Sequence, residues 1–131
     1  MPRRSRARAI VLQALFRGDF DTDADVAADD EFINRRLLKN TELVEFAIDL
    51  LRGVLKEREA LDAILTEKAA NWSLSRMAAT DRNVLRIGAY ELLHTDTPRP
   101  VIINESVELA RRFGSAQSAQ FVNGILDQLH A

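Results

Sequence analysis

Apolar residues in this chain recur at intervals of three and four, and that period is the strongest restriction on its fold. Val44, Ala47, Ile48, Leu51, Val54, Leu55, Leu61, Ile64 and Leu65 keep it in one long stretch. Ile103, Val107, Ala110 and Phe113 keep it in another, and Phe121, Val122, Ile125, Leu126 and Leu129 in a third. Such spacing gathers apolar side chains on one face of a helix. No segment alternates with period two, and Val101-Ile102-Ile103 is the only strand-like triplet, so no sheet is expected. Five glycines and three prolines fall mostly between the periodic segments. The chain therefore reads as an all-α bundle of about seven helical elements joined by sharp turns.

The boundaries follow from local chemistry. A first helix is expected from Arg3 to Arg17, with Gly18 as its C-terminal cap. Asp19 to Asp30 reads as a solvated acidic linker, and a short helix follows from Glu31 to Lys39. Asn40 or Thr41 caps the long third helix, which runs to about Ala69. Asn71-Trp72-Ser73 breaks it, Leu74 to Ala79 form a turn or two, and Thr80 caps the next helix. Thr97-Pro98-Arg99-Pro100 ends that helix near Thr95 and begins another, which stops at Gly114. Ser115 or Ser118 caps the last. Gly88 and Gly124 read as close helix-packing positions, and Trp72 and Tyr90 as half-buried rings.

Little in the sequence points to catalysis. With no cysteine among 131 residues, a disulfide framework, a thiolate metal site and a cysteine nucleophile are excluded. His94 and His130 have no partner at the spacing of metal ligands, and no glycine-rich phosphate loop is present, so no cofactor is expected. The apolar run from Ala9 to Leu12 is too short to enter a membrane. A cytoplasmic protein is expected.

The formal net charge of −2 conceals a segregation. Residues 1–18 carry Arg3, Arg4, Arg6, Arg8 and Arg17 without one acid, and residues 19–31 carry seven acids without one base. The arginine cluster is a footprint for an anionic polymer, and Gln13 and Phe16 on the same helix offer a base hydrogen bond and a stacking ring. From pattern alone a solvated helix face explains the cluster as well as RNA or DNA does. If all five arginines neutralised phosphates of a single strand, binding would fall with salt at a log–log slope of about −3.5.

The second half of the chain carries blocks that specify more. W-S-L-S-R-M-A-A-T-D-R-N-V-L-R-I-G-A-Y-E-L-L from Trp72, V-I-I-N-E-S-V-E-L-A-R-R-F-G after Pro100 and then F-V-N-G-I-L-D together resemble the NusB family of bacterial transcription antitermination factors. The opening R-A-R-A-I-V-L-Q-A-L-F is similar to the family's first helix. The resemblance covers nearly the whole chain and is weakest from Asp19 to Lys39. It implies one RNA-binding domain over residues 1–131, made of two small helical subdomains. It also implies binding to boxA-type single-stranded RNA of ribosomal leader transcripts, together with the ribosomal protein NusE, on RNA polymerase with other Nus factors. Arg4, Arg6, Arg8, Gln13 and Phe16 match the family's N-terminal RNA face, to which the charge cluster adds Arg3 and Arg17. Gln117 and Phe121 match the RNA contact of the last helix, and Asp81 and Arg82 the contact with NusE.

The chain departs from the pattern at Ser5, where relatives often have a base, and at Ser115 to Gln120, which lack the acid before the serine and the lysine just before Phe121. It also lacks the frequent basic tail. Two competing readings remain open at this level. One is a fragment of an RNA methyltransferase carrying a NusB-like domain, against which the missing cysteine and cofactor-binding unit argue. The other is a protein-binding helical module or homodimer that hides the RNA face.

Overall fold

The computed structural model describes residues 3–20, 26–70 and 72–130, with side chains left aside at 3 and 26–28. Seven α-helices and one 3₁₀ turn account for most of these residues, and no strand occurs among them. The helices are α1 (Arg3–Phe20), α2 (Val26–Arg36), α3 (Thr41–Lys56), α4 (Arg58–Lys68), α5 (Ala79–His94), α6 (Arg99–Phe113) and α7 (Ser118–Leu126), with the 3₁₀ turn at Leu74–Arg76. No described helix is long and apolar enough to cross a membrane. The chain divides into two compact units, Met1–Gly53 and Val54–Ala131.

In the first unit, α1 packs against α2. Ala7, Ile10, Val11, Ala14 and Leu15 of α1 are buried, as are Ile33 and Leu37 at the far end of α2. The expected cap at Gly18 is not used, because α1 continues through it to Phe20. The expected linker is also shorter: α2 begins at Val26, inside the acidic stretch. Asp29 is buried and ion-paired with Arg17, and Asp30 is paired with Arg52 of α3. Those carboxylates fasten α2 to its neighbours rather than solvate a loop. Asn40 does cap α3, its Oδ1 accepting the Leu43 N–H at 3.2 Å.

The long third helix expected from the sequence is two helices, interrupted at Glu57. Between Val54 and Leu61 no side chain is buried, so no apolar contact holds one helix axis through Lys56-Glu57-Arg58-Glu59. Each part keeps its own stripe, Val44, Ala47, Leu51 and Val54 on α3 and Leu61 and Leu65 on α4.

In the second unit α5 contacts α4, α6 and α7, and α6 packs along α7. Every residue from Asn83 to Ala89 is buried. Burial on all sides brings polar groups inside. Asn83 donates to the Ala79 carbonyl at 2.9 Å. Arg86 makes two parallel bonds to Asp62 of α4, at 2.8 and 2.9 Å, and a third to Asn83 Oδ1 at 3.0 Å. Thr80 lies inside α5 rather than capping it, since the helix starts one residue earlier. Pro100 occupies the first turn of α6, as expected. Arg99 beside it donates to the carbonyls of Leu126, Asp127 and Leu129, groups left open where α7 ends.

The two glycines singled out for close packing behave differently. A Cβ on Gly88 would stand 2.6 Å from Leu126 Cδ1 and 2.7 Å from Ser106 Oγ, so the missing side chain is what lets α5 approach α6 and α7. A Cβ on Gly124 would meet nothing within 4 Å. Gly88→Ala is expected to cost about 1–2 kcal/mol, because overpacking outweighs the gain in helix propensity. Gly124→Ala is expected to gain up to about 1 kcal/mol, and urea unfolding of the pair reads both signs. Removing the bidentate partner of a guanidinium only 4% exposed is costlier, and Asp62→Ala is expected to lose about 3 kcal/mol in the same assay.

Candidate nucleic-acid interface

The arginines of α1 do not form one uniform basic strip. Arg4 and Arg8, one turn apart, lie over the Phe46 ring of α3 at 4.5 and 5.1 Å. Arg4 is exposed, whereas Arg8 is 2% exposed, its stem and guanidinium enclosed. Arg6 is exposed and donates to the Arg36 carbonyl at 3.1 Å, where α2 ends. Gln13 is half-buried, and its Oε1 accepts from Arg36 Nη1 at 3.2 Å. Arg17 is paired with Asp29 and lies 5.0 Å from the Phe32 ring centre, which it shares with Arg36 at 5.4 Å. The side chain of Arg3 lies outside the described residues.

This arrangement alters the expected set in both directions. Arg8 has the burial of a structural residue and leaves the candidate surface, because a guanidinium enclosed in the fold cannot also reach a phosphate. Arg17 is half spent, its charge answered by Asp29. Arg36, which no sequence pattern marked, joins the surface through its bonds with Arg6 and Gln13. Phe16 is exposed, and Phe20 one turn later is 71% exposed with its ring 5.0 Å away at 53°. The i, i+4 spacing of the two phenylalanines was the available signal for Phe20.

In the second unit the turn between α6 and α7 is held by Gly114 and Ser118. A Cβ on Gly114 would run into Ser118 Oγ and stand 2.7 Å from the Ala110 carbonyl, so glycine is required for this approach. Ser118 Oγ accepts the Ser115 N–H at 2.9 Å, an inward role instead of a helix cap. The turn presents Gln117, exposed, and Phe121, half-buried, at the start of α7. Trp72 stands edge-on to Phe121, ring centres 6.0 Å apart at 75°. It is 56% exposed, more than a ring held in a core, and after Arg36 and Phe20 it is the third residue that sequence reasoning missed.

Asp81 and Arg82, expected as a partner contact on α5, point to different tasks. Arg82 donates to the Leu74 carbonyl at 3.0 Å and to that of Met77 at 3.4 Å, which fixes the 3₁₀ turn against α5. Asp81 lines a recess with Trp72, Gln117 and Phe121. His94 is exposed at the end of α5, 5.0 Å from the Tyr90 ring, a surface stack. Among the described residues no group of three metal-ligating side chains comes together. A stability test separates the arginines: Arg8→Ala is expected to lower unfolding free energy by about 1–3 kcal/mol, and Arg6→Ala to change it by less than about 0.5 kcal/mol.

The sequence profile of the NusB family matches residues 5–131. The chain is 42% identical over 127 residues to the transcription antitermination protein NusB of Anaeromyxobacter dehalogenans, covering 97% of this chain and 89% of that one. It is 40% identical over 131 residues to the NusB protein of Desulfatibacillum aliphaticivorans, covering 99% and 91%. Among solved structures, NusB of T. maritima superposes with a TM-score of 0.86 at 37% identity, over 98% of this chain and 89% of that one. A structure of antitermination factors NusB and NusE in complex with double-stranded RNA superposes at 0.85 and 26% identity, over 97% and 95%. A helical fold with an arginine-bearing first helix, matched over nearly its whole length by these proteins, belongs to the NusB family.

Proposed function

We propose that this chain is a transcription antitermination factor that acts on RNA as one domain, without catalysing a reaction, in the cytoplasm. Its RNA is a boxA-type single strand from ribosomal leader transcripts, bound together with NusE on the RNA polymerase complex. The observation that carries this reading is the exposed surface of α1, where Arg6 stands beside Arg36 of α2 and Arg4 is exposed over Phe46 of α3, with no acid in the first turn. Exposed Phe16 and Phe20 beyond them favour an unpaired strand, because a base in a duplex has no free face to stack. Similarity to proteins named as antitermination factors, and to one solved with NusE and RNA, supports the choice of partners.

In this reading Arg4, Arg6 and Arg36, with Arg3, hold phosphates. Gln13 is positioned by Arg36 to offer its amide to a base edge, and Phe16 stacks on a base. Gln117 and Phe121 add a second contact from the other unit, and Arg82 shapes the surface offered to NusE by holding the 3₁₀ turn.

With Arg8 and Arg17 withdrawn, three or four phosphates are neutralised instead of five. A labelled boxA oligoribonucleotide is expected to show a log–log salt slope of about −2 to −3. A scrambled oligonucleotide is expected to bind more weakly at every salt concentration. Equal affinity for the two, or a slope near zero, would overturn the proposal.

A further inference from the structure

The turn that joins α2 to α3 holds the most exposed large apolar side chain among the described residues, Leu38, at 84% exposure. Its backbone lies in the left-handed region, φ 55°, and so does that of Lys39, φ 57°. Left-handed geometry suits glycine and strains a residue that carries a Cβ. Lys39 N–H donates to the Asn34 carbonyl at 2.9 Å and Leu38 N–H to that of Arg35 at 3.3 Å. These are the paired bonds of a Schellman helix end, with Leu38 where glycine is usual. The apolar contact that often accompanies such an end would join residues 34 and 39, here an asparagine and a lysine. Leucine at 38 therefore neither suits its backbone nor packs on the fold. From Phe32 to Thr41 the chain carries Arg35, Arg36 and Lys39, all exposed, and no acid. Arg35 lies 3.9 Å from Glu31, and Arg6 of α1 donates to the Arg36 carbonyl at 3.1 Å.

We infer that the RNA strand leaves the α1 arginines across the α2–α3 turn, where a further base lies flat against Leu38 and the adjoining phosphate meets Lys39. The strained turn serves to hold that leucine outward. Arg36 ties the two places together. Its carbonyl accepts from Arg6 and its guanidinium donates to Gln13, and Leu38 follows two residues later, at most about 7 Å along the chain. A strand whose phosphates reach Arg6 and Arg36 therefore passes the turn. An aliphatic side chain offers a base no hydrogen bond, so this contact accepts any base and adds affinity without reading sequence. An acidic protein surface would answer the same cations. Leu37 is buried and Lys39 is charged, however, so the turn offers one apolar side chain rather than the contiguous apolar centre that a protein interface buries. The inference rests on the RNA reading above and lengthens its site beyond the face of α1.

The test uses the full chain and a fluorescently labelled boxA oligoribonucleotide, unextended or carrying two added uridines at its 5′ end or at its 3′ end, with anisotropy as the readout. An extension at one end is expected to tighten binding roughly fivefold and one at the other end to change it little. Leu38→Gly is expected to abolish that gain while keeping the affinity for the unextended oligomer. The same variant is expected to raise the urea midpoint, because glycine adopts the turn without strain. Leu38→Met, which keeps an apolar side chain, retains the gain. Lys39→Asn, which tolerates the same backbone, makes the salt slope of the extended complex shallower by about 0.7. Weaker binding together with higher stability in one variant is a result that a merely structural leucine cannot give. If neither extension tightens binding, or both do so equally, or Leu38→Gly keeps the gain, the inference falls while RNA binding stands. A lower urea midpoint for Leu38→Gly shows that the side chain holds the fold, and this too overturns it. If the unextended oligomer fails to bind at low salt, both readings fall. If Leu38→Gly leaves every RNA affinity unchanged but weakens binding of purified NusE, the turn belongs to a protein partner and the inference is overturned.

Discussion

A helix enclosed on all sides has nowhere solvated to put a charge, yet α5 carries Arg86 in its middle. Asp62 of α4 meets it with two parallel hydrogen bonds, and Asn83 adds a third from one turn earlier. Paired fork to fork, a guanidinium can be buried without the penalty of a stranded ion. This pairing ties α4 to α5 at one fixed height. Arg82, four residues earlier, then reaches the carbonyls of Leu74 and Met77 and sets the 3₁₀ turn on the same helix. Trp72 and Arg76 are carried by that turn, so the shape of the surface near Phe121 descends from a charge pair inside the core.

The opposite side of α5 is set by size instead of charge. Gly88 admits Leu126 and Ser106, and Gly114 admits Ser118 at the next corner. These two absences of a side chain bring α6 and α7 close, and Gln117 and Phe121 emerge where the tight turn leaves them. Arg99 closes the far end by satisfying three carbonyls after α7. The exposed polar and aromatic groups of this unit therefore sit on elements whose own positions are fixed by buried contacts.

Much of this was legible in the sequence. The 3.6-residue period located the helices, Pro98 and Pro100 marked the join of α5 and α6, and Asn40 marked the start of α3. What was not legible has a common cause: the decisive contacts are between segments distant in sequence. Asp29 and Asp30 read as linker acids because composition cannot show that Arg17 and Arg52 come to meet them. Glu57 read as the middle of a helix because the stripe from Val54 to Leu61 keeps its heptad spacing through a turn in which nothing is buried. Trp72 read as half-buried because large rings usually are, and Arg8 read as a surface cation because its neighbours Arg4 and Arg6 are.

The arginines of α1 illustrate how far charge counting can mislead about a binding face. Five cations without an acid suggested five equivalent phosphate anchors, but a guanidinium has three uses in a small helical unit. Arg8 fills space over Phe46, Arg17 clamps Asp29 beside Phe32, and Arg4 and Arg6 keep their charge outward. Asp29 and Asp30, which follow in sequence, do not cancel the outward charges, because Arg17 and Arg52 hold them, and Glu31 pairs with Arg35. Each clamp removes one positive and one negative charge from the field together. The segregation seen in the sequence thus survives folding in a reduced form, with fewer cations on the face than the count implies and none of them neutralised by those two acids.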